Sequence, residues 1–562
     1  MDTHFAPFSA RARAEHLASL TGETWDLLII GGGITGAAAA RDAAGRGLRV
    51  ALVDAGDLAR GTSSRSSRLI HGGIRYLETG NLRLVFEASA ERRRLLGLAS
   101  HLVHPLPFLF AVYRGEPVGL RKLQAGMWLY DALSLFRNIS RHRMVSRARM
   151  KDEEPGLRTD GLAGAALYYD ASVDDARLTL ANARGAHEAG AAVVPHAEVS
   201  GFLRDPRGVS GVRVRDCLNP RADTVDVRAR VILNATGPWS DAVRTLADSG
   251  TKPRLRPTKG VHIQVRRDRI GNRHAITFRS PVDGRVMFVL PWGDFSYVGT
   301  TDTDYVGSPA DVRADESDVK YLLDSANGIF PAAKLTGSDV VSTWAGIRPL
   351  LAPDKADGGL AASATSREHE IWRDRSGLLN IAGGKLTTYR VMAGQAVDAA
   401  ARLLKEAGVA SGESPTAHLP LPGDPQEPWE EFLARVVHEA VGAGLDADVG
   451  EHLARAYGED AEAVLAAVRR DAEAGRRLMA GHPYIWAEVD HAVNAEMAMR
   501  LEDVLIRRMH LFYEAVDGGL AVAEEVGRRM ARADGVGWSE AQIAAQVESY
   551  RQAVAATRGF GG

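Results

Sequence analysis

The sequence has almost no cysteine: Cys217 is its one thiol. That excludes an intrachain disulfide, a paired-cysteine redox centre and a Cys-rich zinc site, and it fits a reducing compartment. Long hydrophobic runs are missing too. Nowhere do about eighteen apolar residues run together, and residues 1–20 carry acids, histidines and arginines instead of an apolar core, so neither a membrane span nor a signal peptide is expected. The chain also lacks a charge excess. With 69 basic and 71 acidic residues the formal net charge is −2, which gives no global attraction for nucleic acid, so any anion site must be local. Lysine is scarce, nine of those 69 basic residues, so a lysine at a Gly-rich turn, Lys385, stands out; ammonium and guanidinium bind oxyanions with different geometry. No internal repeat and no low-complexity tract is present. What remains is globular: 562 residues, 45% hydrophobic and 25% charged, enough for several domain-sized units.

Residues 25–30 form a short apolar run that enters Gly31-Gly32-Gly33-Ile34-Thr35-Gly36; small residues follow, then a second apolar run at 48–53. The order is strand, tight turn, helix, strand. Residues 60–77, rich in Gly, Ser and Arg, read as a loop over a ligand, and 82–98 return to helical spacing. Residues 102–112 read as a buried strand or loop. A further crossover is expected over 167–214, a strand ending in Thr236-Gly237-Pro238, short alternating strands over 262–300, and a last strand that runs into Gly383-Gly384-Lys385. Beyond a Pro-rich linker at 419–427, Val489, Val493, Met497, Leu501, Val504, Leu505, Met509 and Phe512 recur at three or four residues and predict one apolar helical stripe.

Gly31, Gly33 and Gly36 follow a predicted strand and open a predicted helix, and Asp54 ends the next strand. In that context the glycines let the backbone approach a pyrophosphate, the helix N-terminus favours its charge, and the carboxylate can accept from ribose hydroxyls. Only one such fingerprint occurs, so one dinucleotide is expected; the motif alone admits NAD or FAD. The hydroxyl-rich segment with Thr62, Ser63, Ser64, Ser66 and Ser67 offers donors to phosphate and to a ring edge, which favours FAD.

The run Arg60-Gly-Thr-Ser-Ser-Arg-Ser-Ser-Arg-Leu-Ile-His-Gly-Gly-Ile-Arg-Tyr-Leu-Glu78 resembles the FAD-dependent, respiratory-type glycerol-3-phosphate dehydrogenases. So do Asn234-Ala-Thr-Gly-Pro-Trp239, Lys259-Gly-Val-His262, Val298-Gly-Thr-Thr-Asp302, Gly346-Ile-Arg-Pro-Leu350, Thr365-Ser-Arg367 and Gly383-Gly-Lys-Leu-Thr-Thr-Tyr-Arg390, in family order across most of the chain. The resemblance implies oxidation of sn-glycerol 3-phosphate to dihydroxyacetone phosphate, with electrons leaving reduced FAD for a quinone. It also implies a Rossmann-like, doubly wound α/β FAD-binding domain with an inserted antiparallel β-rich substrate domain, plus a C-terminal all-helical domain. The expected boundaries are 22–100, 165–258 and 340–415 for the first, 101–164 and 259–339 for the second, and 425–555 for the third. Asp54 departs from the family pattern, which usually has Glu there.

Within this resemblance Arg75, Arg348 and Lys385 are the expected phosphate ligands, with Tyr76 as a neutral donor. His71 and His262 are the candidate proton acceptors, and Arg367 the group that polarises the hydroxyl. Ala235, Thr236, Gly237, Gly384, Thr387 and Thr388, with Ile34, Thr35 and Lys385, complete the expected cofactor contacts; no metal is expected. The same chemistry with dioxygen as acceptor, making hydrogen peroxide, stays open, as does a homodimer. Between residues 137 and 151 six cations occur without an acid, directly after the apolar 126–136. They read either as a solvated loop paired with Asp152, Glu153 and Glu154, or as a peripheral contact to an anionic membrane from the cytoplasmic side.

Overall fold

A computed structural model describes residues 7–74, 81–352 and 368–560. Its first sheet runs in the order His369–Arg373, Leu379–Gly383, Val225–Asn234, Trp25–Ile30, Val50–Val53, Ala192–Val194. All neighbours are parallel except the first pair, an antiparallel edge. Leu27, Leu28 and Ile29 are completely buried, because this central strand is covered on both faces and so reads as an unbroken apolar run. Helices Ile34–Gly45, Asp175–Glu188 and Tyr389–Glu406 cover one face; the alanines of the first allow close approach. A hairpin of Ala197–Asp205 and Gly208–Asp216, continued by the start of Val225–Asn234, covers the other.

The second sheet is ten-stranded and antiparallel but for one pair. Leu255–Arg266 pairs along its length with Val340–Leu351, and Val103–Tyr113 with Leu162–Val173. Three expected boundaries are crossed by strands of the second sheet: residues 165 and 340 lie in Leu162–Val173 and Val340–Leu351, and residues 255–258, expected in the first domain, begin Leu255–Arg266. Pairing across such sequence separations leaves no local trace.

The C-terminal part is helical, as expected, but its apolar stripe is not one helix. Trp486–Ala495 stops before Met497, whose φ is +54°; a π-helical segment, Asp503–Arg508, and a short turn, Leu511–Glu514, follow. The break has a polar cause: the buried Asp503 carboxylate accepts from the backbone N–H groups of Met499 and Arg500 at 2.9 and 2.8 Å. All eight residues of the stripe are buried nonetheless. Leu501, Val504 and Tyr513 share a core with Phe108, Tyr297 and Trp344 of the second sheet, so the helical domain is packed into the body of the protein.

Candidate active site

At the C-terminal ends of the parallel strands lies a groove of about 550 Å³, bordered by Gly31, Gly33, Ile34, Thr35, Asp54, Ala235, Thr236, Gly237 and Gly384. Gly36 stands behind it as a packing residue, since a Cβ there would sit 1.8 Å from the Gly31 carbonyl oxygen. The Asp54 carboxylate accepts from Gly32 N–H at 2.6 Å and Gly56 N–H at 2.7 Å. Burial pushes its carboxyl upward, against those two hydrogen bonds. Thr236 is fixed by Asn234, which accepts from its hydroxyl at 2.7 Å and donates to Asn380 at 2.9 Å.

Thr62, Ser63 and Ser66 of the hydroxyl-rich loop line the groove. Ser63 Oγ accepts from Ile34 N–H at 2.9 Å, which leaves its own proton for a ligand. Thr62 donates to the Ile347 carbonyl at 2.6 Å and Ser66 to Asp175 at 2.6 Å, so these two hydroxyl protons shape the loop. Ser64 is buried away from the groove and Ser67 faces His262 at 2.9 Å. Thr387 and Thr388 are likewise buried behind the lining; Thr387 Oγ1 accepts from His71 N–H at 3.1 Å and donates to the His71 carbonyl at 3.2 Å. The groove also takes in Arg60, Glu198, Val199 and Trp239, to which the sequence reading gave no role, although Arg60 opens a quoted motif. Trp239 closes a quoted motif and was within reach; Glu198 and Val199 join only through sheet pairing.

A dinucleotide fits these residues. Gly33 caps the helix Ile34–Gly45 without a side chain, so helix N–H groups face the groove, and a carboxylate waits at the end of the second strand. Asp54, although shorter than Glu, occupies that position with its oxygens already oriented.

The other half of the site comes from the second sheet. In the paired register, His262 lies opposite Trp344 on one side and Gly299 on the other, and Arg348 opposite Thr258, so His262, Trp344 and Arg348 share one face. His262 stacks on Trp344 with ring centroids 5.0 Å apart. Burial, with Arg348 and Arg68 nearby, lowers its pKa to about 3, so the imidazole is neutral. Arg348 donates to Asp302 at 3.0 Å, to Thr300 Oγ1 at 3.0 Å and to the Thr301 carbonyl at 3.0 Å, which fixes the guanidinium plane. Lys385 lines the groove one residue past Gly384, and Thr387 ties that turn to His71. Arg75, Tyr76 and Arg367 lie outside the described residues.

Residues 26–390 match the family model described as FAD dependent oxidoreductase, and residues 414–543 that of the C-terminal domain of alpha-glycerophosphate oxidase. These define an FAD-dependent oxidoreductase, and the cofactor is FAD. An aerobic glycerol-3-phosphate dehydrogenase of Staphylococcus haemolyticus is 37% identical over 502 residues, 88% of each chain. Glycerol-3-phosphate dehydrogenase 2 of Mycobacterium tuberculosis is 40% identical over 95% of this chain and 88% of that one. The crystal structure of the glycerol-3-phosphate dehydrogenase of Bacillus halodurans complexed with FAD superposes with a TM-score of 0.82 at 30% identity, covering 99% of both chains. The chain belongs to the FAD-dependent glycerol-3-phosphate dehydrogenase family.

Proposed function

We propose that the protein oxidises the C2 hydroxyl of sn-glycerol 3-phosphate, yields dihydroxyacetone phosphate and passes the electrons to a quinone. The observation that carries this reading is Lys385 in the lining of a dinucleotide groove in a chain of this family, with His71 hydrogen-bonded to Thr387 two residues beyond it and Arg348 directly before the lining residue Pro349. Bound FAD supplies the hydride acceptor. Lys385 and Arg348 attract the phosphate dianion, the first as a point charge and the second through a guanidinium whose plane is held by Asp302, Thr300 and Thr301. His71, half-buried and pinned at its backbone by Thr387, takes the hydroxyl proton at a ring nitrogen. His262 stays neutral and holds Ser67, four residues before His71. Arg75 and Tyr76 add phosphate contacts and Arg367 polarises the hydroxyl.

The quinone reading is supported by an outer face with apolar and basic side chains together. Trp128, Leu129, Leu135 and Phe136 are exposed, at 52, 41, 55 and 53%, and Leu82 and Phe86 are exposed on the neighbouring helix Leu82–Leu98. Arg141 lies over the Phe136 ring, and Arg137 is exposed beside it. Arg143 and Arg149 instead pair with Glu153, so the solvated reading holds for those two. Among the described residues no helix is long and apolar enough to cross a membrane. A peripheral contact with anionic lipid would bring the site to a lipid-soluble acceptor. Anionic vesicles carrying quinone should sediment the protein at low salt, release it at high salt, and support turnover with glycerol 3-phosphate. Rapid peroxide formation with no vesicle binding would favour the oxidase instead.

A further inference from the structure

Between the first sheet and the C-terminal helices lies a buried ionic cluster outside the substrate site. Asp57 is completely buried and accepts from Arg507 Nε at 2.5 Å and from Arg508. Asp503 accepts from Arg507 at 2.7 Å and lies 2.9 Å from His196 Nε2. Asp57, His196 and Asp503 have the donor atoms of a cation site. Two guanidinium groups already neutralise the carboxylates, however, which makes the cluster an ion-pair junction.

What the junction grips decides its meaning. Asp57 sits between Gly56 and Arg60, and His196 directly precedes Ala197 and Glu198, all of which border the groove. These two walls are joined to each other: His196 N–H donates to the Gly56 carbonyl at 2.7 Å and Ala197 N–H to the Asp54 carbonyl at 2.6 Å. Each wall is thus held from behind by the π-helical segment Asp503–Arg508, one through Asp57 and the other through His196. A buried charge that loses its partner is costly, so neither wall can leave its position without disturbing the C-terminal domain.

We propose that Asp503, Arg507 and Arg508 are positioning residues for FAD: through Asp57 and His196 they fix the two walls at one end of the groove, so that the C-terminal helical domain governs how fast the cofactor leaves. The proposal rests on the assignment of the groove to FAD. It gives the helical domain a task inside the flavin site, which the substrate chemistry alone does not require.

The decisive variant is His196→Asn. His196 has a φ of +55°, a conformation Asn tolerates, and Asn keeps the N–H to Gly56 but cannot reach Asp503, which retains Arg507 and two backbone donors. Asp57→Asn cuts the other grip. The comparison variant is Glu488→Gln, beside a separate core of the helical domain that contains Phe432, Leu453, Tyr457 and Ile485, where the carboxylate accepts from Tyr457 at 2.9 Å and from Ile485 N–H at 2.7 Å, away from the groove. FAD release from each holoenzyme is followed by recovery of free-flavin fluorescence after dilution, alongside the melting temperature. His196→Asn and Asp57→Asn should release FAD about tenfold faster or more, with turnover restored by saturating FAD, while Glu488→Gln melts lower but releases FAD at the wild-type rate. Release unchanged in His196→Asn, or accelerated equally in Glu488→Gln, would overturn the proposal; if Asp57→Asn does not fold, His196→Asn alone decides. Wild-type protein that neither contains nor takes up FAD would contradict the groove assignment instead.

Discussion

In the proposed reaction the single residues Arg348 and Lys385 carry the phosphate recognition, and their removal should be felt in catalysis before it is felt in folding. Arg348→Ala and Lys385→Ala should each lower kcat/KM by an amount worth about 2–5 kcal/mol while FAD stays bound, because each deletes a charge-assisted contact in a partly dry cleft. Steady-state kinetics with the flavin spectrum as control tests this; near-normal activity at limiting substrate would remove that residue from the phosphate site. His262 has a different signature. Its folded pKa of about 3 lies below the ordinary 6.5, so between those values the unfolded chain binds a proton that the folded chain refuses. Stability must then fall as pH drops through that window, by about 2 kcal/mol between pH 7.5 and 5 from this residue. Urea unfolding at the two pH values should show a smaller loss in His262→Asn than in the wild type. The sequence placed His262 in the site because its motif is distinctive, but its neutrality was not legible: that follows from Trp344 and Gly299, brought against it by strands far away in the chain.

At the level of elements, helix Leu82–Leu98 is the strut of the site. Its adjacent Glu91 and Arg92 are both buried and reach different parts: Glu91 accepts from Arg390 at 2.7 and 2.8 Å, and Arg92 pairs with Asp170. Asp170 in turn accepts from Gly72 N–H at 2.9 Å and from Tyr130 at 2.8 Å, which fixes the backbone next to His71. A Cβ on Gly72 would lie 2.1 Å from the Tyr130 hydroxyl oxygen and 2.7 Å from Ser89 Oγ. Gly72→Ala should therefore displace the His71 loop and, with His71 as the proposed proton acceptor, reduce kcat at least about tenfold while FAD is retained, since a small misplacement of a reacting group is costly. Equal kcat in this variant would show that the loop tolerates the shift. Helix Leu82–Leu98 was visible in the sequence as a helical period, and so were the strand, turn and helix around Gly31. Its role as a strut was not visible, because Asp170 and Arg390 lie in remote segments.

Across the whole molecule, the two-sheet architecture with a helical C-terminal region was legible from pattern and motif order. The boundaries at 165 and 340 were not, since Leu162–Val173 and Val340–Leu351 are strands whose partners lie elsewhere in the sequence. The stripe from Val489 to Phe512 predicted burial correctly and continuity wrongly, because apolar spacing does not reveal a buried Asp503 that caps a new turn. The claim that unites fold, groove and proposed chemistry is that glycerol 3-phosphate itself reduces the bound FAD. The most direct measurement is anaerobic titration of the purified holoenzyme with sn-glycerol 3-phosphate, watching the visible flavin absorption. Bleaching by glycerol 3-phosphate, with none by glycerol or by NADH, is the predicted result; full bleaching by NADH without the polyol phosphate, or none with it, would contradict the account.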